Sequence, residues 1–207
     1  MLRNYLKIGF VFLVLFGLAT GCATTKMTST WSDPAYNSGS IKKAVVIGVA
    51  KSDGIRRVFE EGFVNQLKIN GTDAMESYTM FSLKEADERP DAIKSQLIGK
   101  GFDTVIVTRM IDKSTELKYY PPTPTYMGPP RAYYGGWHGY YHMGYDYYYS
   151  SPGGVQTYDK VKLECNVYSL KDGKLLFSGL SDTTTSSGIE TKGEEIISVL
   201  VKNILGK

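Results

Sequence analysis

The chain is poor in the residues that carry out chemistry. Its 207 residues include two cysteines and two histidines, which excludes a disulfide-rich scaffold and a zinc site built from four thiolates. Charge of either sign is not in excess: 24 Lys and Arg face 21 Asp and Glu, a formal +3. That imbalance is too small and too scattered for a nucleic-acid protein, which needs a basic face or stripe, so no nucleic-acid partner is expected. Gly48-Val49-Ala50-Lys51-Ser52-Asp53-Gly54 lies between an expected strand and helix, but it fits neither Gly-x-x-x-x-Gly-Lys-Ser/Thr nor Gly-x-Gly-x-x-Gly. No Gly-x-Ser-x-Gly elbow occurs either. The acids Glu60-Glu61, Glu85 with Asp87-Glu88, and Glu194-Glu195 read as helix surface charges. The expectation is a protein that is not an enzyme and holds no cofactor and no metal.

A long apolar run is also missing. The uncharged stretch Ile8–Thr20 has thirteen residues, short of the ~20 that cross a bilayer as a helix. With Arg3 and Lys7 before it and small residues after it, residues 1–21 read as a secretory signal peptide. The segment ends Leu18-Ala19-Thr20-Gly21-Cys22, which resembles the lipobox of bacterial lipoproteins, with Ala19 where Leu is commonest. The resemblance implies that Cys22 becomes the acylated first residue of the mature chain, and that the chain is membrane-bound through it. Each buried methylene adds ~0.8 kcal/mol, so several acyl chains anchor stably where one does not. Residue +2 is Ala23 rather than Asp, which by analogy with enteric sorting favours the outer membrane, facing the periplasm.

Cys165 then has no partner in the mature chain. It lies in Val161–Val167, where odd positions are apolar and even ones polar, so it is expected on the buried face of a strand, packed as a small apolar side chain. Residues 22–40 are rich in Ser and Thr and read as a lipid-anchored tether, with Trp31 and Tyr36 as aromatics that should dock. From residue 41 the pattern is that of one α/β domain. Ala44–Ala50 reads as a buried strand. A helix follows, with Ile55, Val58, Phe59, Gly62, Phe63, Gln66 and Leu67 at helical spacing and Asn70-Gly71 as its stop. Gly62 is expected to allow close approach to the sheet. A strand Ala74–Met80, a helix from Pro90 to Gly99 and a strand Phe102–Leu117 come next. Thr157–Leu170 and Leu175–Thr185 read as a hairpin turning at Asp172-Gly173, and a last helix spans about Glu190–Leu205. The prediction is an α/β (α+β sandwich) fold on a mixed sheet of about five strands, in the order β-α-β-α-β-(insertion)-β-β-α.

The insertion, 119–154, breaks the composition. Residues 119–154 hold eleven of the sixteen tyrosines, both histidines, six prolines and seven glycines. Long irregular segments in compact domains are usually functional or unstructured. His138 and His142 are four apart, but the glycines around them argue against a shared helical face and structural zinc wants four ligands, so no metal is assigned. Tyr133, Tyr134, Trp137, Tyr140, Tyr141, Tyr145, Tyr147 and Tyr148 could form a binding surface, since Tyr and Trp bring large contact area at low entropy cost. The alternative is a low-complexity arm with no ligand.

Cys22, Trp31-Ser32-Asp33-Pro34, the strand Lys43–Val49, the helix Arg56–Phe63, the strand Phe102–Thr108 and the Asp172-Gly173-Lys174-Leu175 hairpin together resemble the DUF4136 bacterial envelope lipoproteins. The resemblance covers essentially the mature chain outside the insertion. That family has no established activity, so it implies a location and a fold and no catalytic residue. The leading expectation is a non-catalytic, lipid-anchored envelope protein that presents an interaction surface to another envelope protein or glycan. The rival is a periplasmic module that binds a small molecule or glycan, with the Tyr-rich segment as a lid. A hydrolase would need paired acid and base groups that the sequence does not display.

Overall fold

The computed structural model describes residues 24–37, 39, 41–120 and 154–207. The elements follow in the order β1 (Thr25–Ser32), β2 (Lys43–Val49), α1 (Asp53–Ile69), β3 (Asp73–Glu76), a 3-10 turn (Ser77–Thr79), α2 (Leu83–Glu88), α3 (Pro90–Gly99), β4 (Thr104–Tyr120), β5 (Gly154–Ser169), β6 (Leu175–Thr185), a second 3-10 turn (Ile189–Lys192) and α4 (Gly193–Ile204). They form the expected α/β fold on one mixed sheet, in the strand order β1-β6-β5-β4-β2-β3. β2 is parallel to both β3 and β4, and the remaining pairs are antiparallel.

The sheet has six strands because the expected tether is largely folded. Thr25–Ser32 pairs antiparallel with β6, from Thr25 opposite Thr183 to Ser32 opposite Phe177. Thr25 is buried, and its hydroxyl lies 3.0 Å from that of Thr183. An edge strand with one open side can be built from Ser and Thr, because only its inward positions need covering. The chain then turns at Asp33. Its carboxylate accepts from the Ala35 N–H (2.8 Å) and meets Lys174 Nζ (2.6 Å). Tyr36 docks against Phe177, with ring centroids 6.4 Å apart, and donates its hydroxyl proton to the Ile204 carbonyl. Burial pushes the Tyr36 phenol up to about 12. Trp31 remains exposed.

Two cores lie on opposite faces of the sheet. On one face α1 and α4 cover Ala44, Val46, Ile106, Val161, Cys165 and Val167 with Phe63, Leu67, Ile197, Leu200 and Ile204. On the other, α2 and α3 cover Val45, Phe102 and Leu170 with Ala86, Ile93 and Leu97, joined by Phe81 from the segment before α2. Cys165 is fully buried, as its alternating strand requires. It accepts a hydrogen bond from Thr108 Oγ1 (3.1 Å), and burial pushes its thiol up to about 12. Gly62 approaches α4 rather than the sheet: a Cβ there would lie 2.9 Å from Ile197 Cδ1. The expected strand Ala74–Met80 pairs only through Glu76 and then tightens into the 3-10 turn. Gly173 closes the β5–β6 turn with φ of 71°.

Candidate functional site

The inward face of α1 differs from its sequence pattern. Ile55 and Val58 are exposed, while Arg56 and Glu60 are buried, Glu60 completely. Burying a charge is costly unless it is paired and hydrogen-bonded, and here it is both. Glu60 Oε1 accepts from Gly48 N–H (3.0 Å), Arg56 Nε (2.8 Å) and Ser77 Oγ (2.8 Å), and Oε2 accepts from Tyr78 N–H (2.9 Å). Arg56 Nη2 reaches Ser77 Oγ (2.7 Å) and the Phe81 carbonyl (3.2 Å). This network ties α1 to the carboxyl ends of β2 and β3. The chain leaves those two strands toward opposite faces of the sheet, the position where open α/β sheets commonly bind ligands. A pocket of about 140 Å³ lies there, lined by Asp53, Arg56, Arg57, Tyr78, Phe81 and Ser82. Glu60 thus belongs to an internal strut, not to the helix surface. Glu61 is the surface acid, accepting from the Tyr78 hydroxyl (2.6 Å), which raises the Tyr78 pKa.

A second, open groove of about 280 Å³ runs between α3 and the sheet, with Ile47, Ile93, Leu97, Val105, Tyr168 and Leu170 in its lining. It lies near the start of β4. From Val105 to Tyr120, where β4 ends, is about 50 Å of extended chain.

The feature that dominates the molecule is the length of the β4–β5 hairpin. Beyond its neighbours the pair continues alone as a two-stranded ribbon. β2 accompanies β4 only to Arg109, and β6 accompanies β5 only to Asp159. β4 pairs with β5 out to Tyr120 opposite Gly154. Tyr119, Tyr120 and Gly154, assigned to the insertion from sequence, are therefore strand residues, and the segment between the strands is 121–153. An irregularity between Met110 and Asp112 shifts the register by one, as a bulge does. After it, Lys113, Thr115, Leu117 and Tyr119 share a face with Val161, Asp159, Thr157 and Val155.

The two faces of the ribbon differ. One is laced by polar contacts, Lys160 Nζ to Glu116 (2.8 Å) and the hydroxyls of Tyr120 and Tyr158 at 2.7 Å, with Arg109 Nε to Glu164 (2.6 Å) below its base. Lys118 Nζ sits 5.5 Å from the Tyr120 ring centre. The Glu116 contact raises the Lys160 pKa. The other face ends in Leu117, Tyr119 and Val155, which are 73%, 65% and 64% exposed.

The start of the described chain is pinned beside this ribbon. Glu195, in the first turn of α4, accepts from Thr24 N–H (2.7 Å) and Thr25 N–H (2.8 Å), and pairs with Lys192 Nζ (3.0 Å). Desolvation acts to raise its pKa. The hydrogen bonds from Lys192, Thr25 and Thr24 outweigh it and take the carboxyl down to about 2. Sequence patterning gave no sign of this role, because Glu194-Glu195 fits an ordinary acidic first turn. Thr24 lies two residues from Cys22, at most ~7 Å of extended chain.

The signal segment 1–21, Cys22, His138, His142 and the candidate surface Tyr133, Tyr134, Trp137, Tyr140, Tyr141, Tyr145, Tyr147 and Tyr148 lie outside the described residues. Among the described residues no three of His, Cys, Asp and Glu cluster as metal ligands, and no helix is long and apolar enough to cross a membrane.

No family model matches the chain, and neither does any curated protein. Solved structures do. The PelC dodecamer from Paraburkholderia phytofirmans is 14% identical at a TM-score of 0.48, covering 87% of this chain and 96% of that one. Lipoprotein GNA1162 from Neisseria meningitidis is 10% identical at 0.42, covering 80% and 99%. The hypothetical protein CT253 from Chlamydia trachomatis is 9% identical at 0.40, covering 81% and 100%. The chain is thus similar to a lipoprotein among other proteins, and the DUF4136 resemblance has no family model behind it.

Proposed function

We propose that this protein is a non-catalytic, lipid-anchored component of the bacterial envelope, held by acylated Cys22. It presents the segment 121–153, which the β4–β5 ribbon carries, to another envelope protein or glycan. The observation that carries this reading is the absence of slack at the anchor. Thr24 and Thr25 are bound to Glu195 and β1 begins at Thr25, so a lipid on Cys22 holds the folded body close to the bilayer. A body held this way cannot roam, so its partner must come to it at the membrane surface. Ala23 after Cys22, by analogy with enteric sorting, favours the outer membrane, with the protein facing the periplasm.

The glycan- or small-molecule-binding reading has the apolar groove beside α3 in its favour. The ribbon leads away from that groove, so the Tyr-rich segment departs from a point remote from the site it would have to cover.

Cross-linking in the native envelope, followed by affinity capture, tests the proposal. Full-length protein is compared with a deletion of 121–153, both keeping Cys22. A specific envelope protein or glycan captured only by the full-length form is the expected result. Equal capture by both forms moves the binding surface to the α/β body and overturns the role given to the ribbon-borne segment.

A further inference from the structure

We propose that the tip of the β4–β5 ribbon is a second membrane contact, with Leu117, Tyr119 and Val155 resting in the headgroup layer of the bilayer that holds the acyl chains of Cys22. This rests on the lipid attachment proposed above, and it follows from the register of the sheet.

Thr25, Thr183, Val161 and Lys113 stand in one row across β1, β6, β5 and β4. β4 runs from that row toward the ribbon tip. β1, separated from β4 by three antiparallel pairings, runs from the row away from it. The chain before Thr25 therefore leaves the body on the tip side. Cys22 is at most ~10 Å beyond the row, whereas the ribbon continues from Lys113 to Tyr120, about 24 Å. The ribbon overshoots the anchor. A bilayer that takes the lipid on Cys22 and lies across the tip side of the body meets the ribbon as well, along its flank or at its end.

The face that meets it is set by the same contacts. Glu195 belongs to α4, which covers the Val161 side of the sheet, and it draws Thr24 and Thr25 to that side. Leu117, Tyr119 and Val155 are on the Val161 side too. Thr24, Thr25 and the apolar tip share one face, which carries Lys113 and the Thr115–Asp159 hydrogen bond (2.9 Å) nearer the body, and the Glu116–Lys160 pair is on the other. An aliphatic pair with a tyrosine between apolar and wet surroundings suits the interfacial layer, where tyrosines of membrane proteins gather. The depth is limited. Both outer edges of the ribbon beyond Arg109 and Asp159 have no neighbouring strand, and unpaired backbone groups need water that hydrocarbon does not supply.

The test uses acylated full-length protein purified from membranes and reconstituted in vesicles of phosphatidylethanolamine and phosphatidylglycerol. A polarity-sensitive fluorophore is placed through Leu117→Cys. A control is placed through Ile69→Cys, a 79% exposed position at the end of α1 opposite the ribbon. Cys165 is buried and stays unlabelled. The expected result is a blue shift at Leu117 and loss of emission to nitroxide lipids labelled near the headgroup, with less loss to those labelled at the chain end, and neither effect at Ile69. Acylated protein that floats with the vesicles while the Leu117 probe behaves like the Ile69 probe overturns this proposal alone. Shielding of the Leu117 probe that grows with protein concentration without vesicles overturns it in favour of a second copy. Absence of acyl mass on Cys22 overturns both this proposal and the anchoring it rests on.

Discussion

Glu195→Ala removes the clamp that holds the first residues of the chain to α4. The alanine loses one acceptor shared by two backbone N–H groups and the ion pair with Lys192. A carboxyl whose pKa falls from 4.5 to about 2 on folding corresponds to about 3 kcal/mol at ~1.4 kcal/mol per pH unit. The side chain is 26% exposed, so solvent screening reduces this to about 1–2 kcal/mol. The sign with pH follows from the lowered value. The stabilisation is present in full above 4.5, where the unfolded carboxyl is already ionised, and it is lost as pH falls toward 2. Urea unfolding should therefore separate wild type from variant by the full amount at pH 7 and by much less at pH 3. Hydrogen exchange at pH 7 should show the Thr24 and Thr25 amides released, with the amides of α1 unchanged. A stability difference that does not shrink with acid, or Thr24 and Thr25 amides equally protected in the variant, would refute the reasoning.

Glu60→Ala leaves the buried Arg56 guanidinium without its carboxylate and should cost about 3–5 kcal/mol in urea unfolding. Pairing Glu60→Leu with Arg56→Met should be less damaging than Glu60→Leu alone, and the reverse order would contradict the strut. Gly179→Ala places a Cβ 2.6 Å from Met27 Cε and 2.9 Å from the Phe177 ring, an overpacking of about 1–3 kcal/mol; an unchanged urea midpoint would count against the β1–β6 packing. Cys165, with its thiol pushed up to about 12 by burial, should resist maleimide at pH 8 in native protein and react in urea, as mass spectrometry of the peptide would report.

The central strands were readable because burial on both faces leaves a continuous apolar run, as in Ala44–Val46, and because Asn70-Gly71 and Asp172-Gly173 mark their turns with glycines of positive φ. β1 was not readable, since an edge strand that pairs through Thr25 and Thr183 has the composition of a tether. The face of α1 was misplaced for a related reason. Arg56 and Glu60 occupy inward positions two turns before Phe63 and Leu67 respectively, but two opposite charges four apart read as a solvated pair until Ser77, Tyr78 and Gly48 are brought against them. α2 did carry a sign that sequence could have supplied: Ser82 and Glu85 form a capping box. The ribbon shows in sequence only as the alternation through Leu117. Its length depends on pairing across more than thirty intervening residues, which no local pattern encodes. Of the anchor end, Cys22 was legible as a motif, whereas the role of Glu195 exists only in three dimensions.

Both the anchoring and the ribbon's membrane contact depend on a lipid at Cys22. Intact-mass and peptide mass spectrometry of protein extracted from cell membranes tests it most directly. The prediction is a chain that begins at Cys22 and carries added acyl mass on that residue, with Cys22→Ser shifting the protein out of the membrane fraction. A chain retaining residues before Cys22, or an unmodified Cys22 thiol in membrane-bound protein, would contradict it.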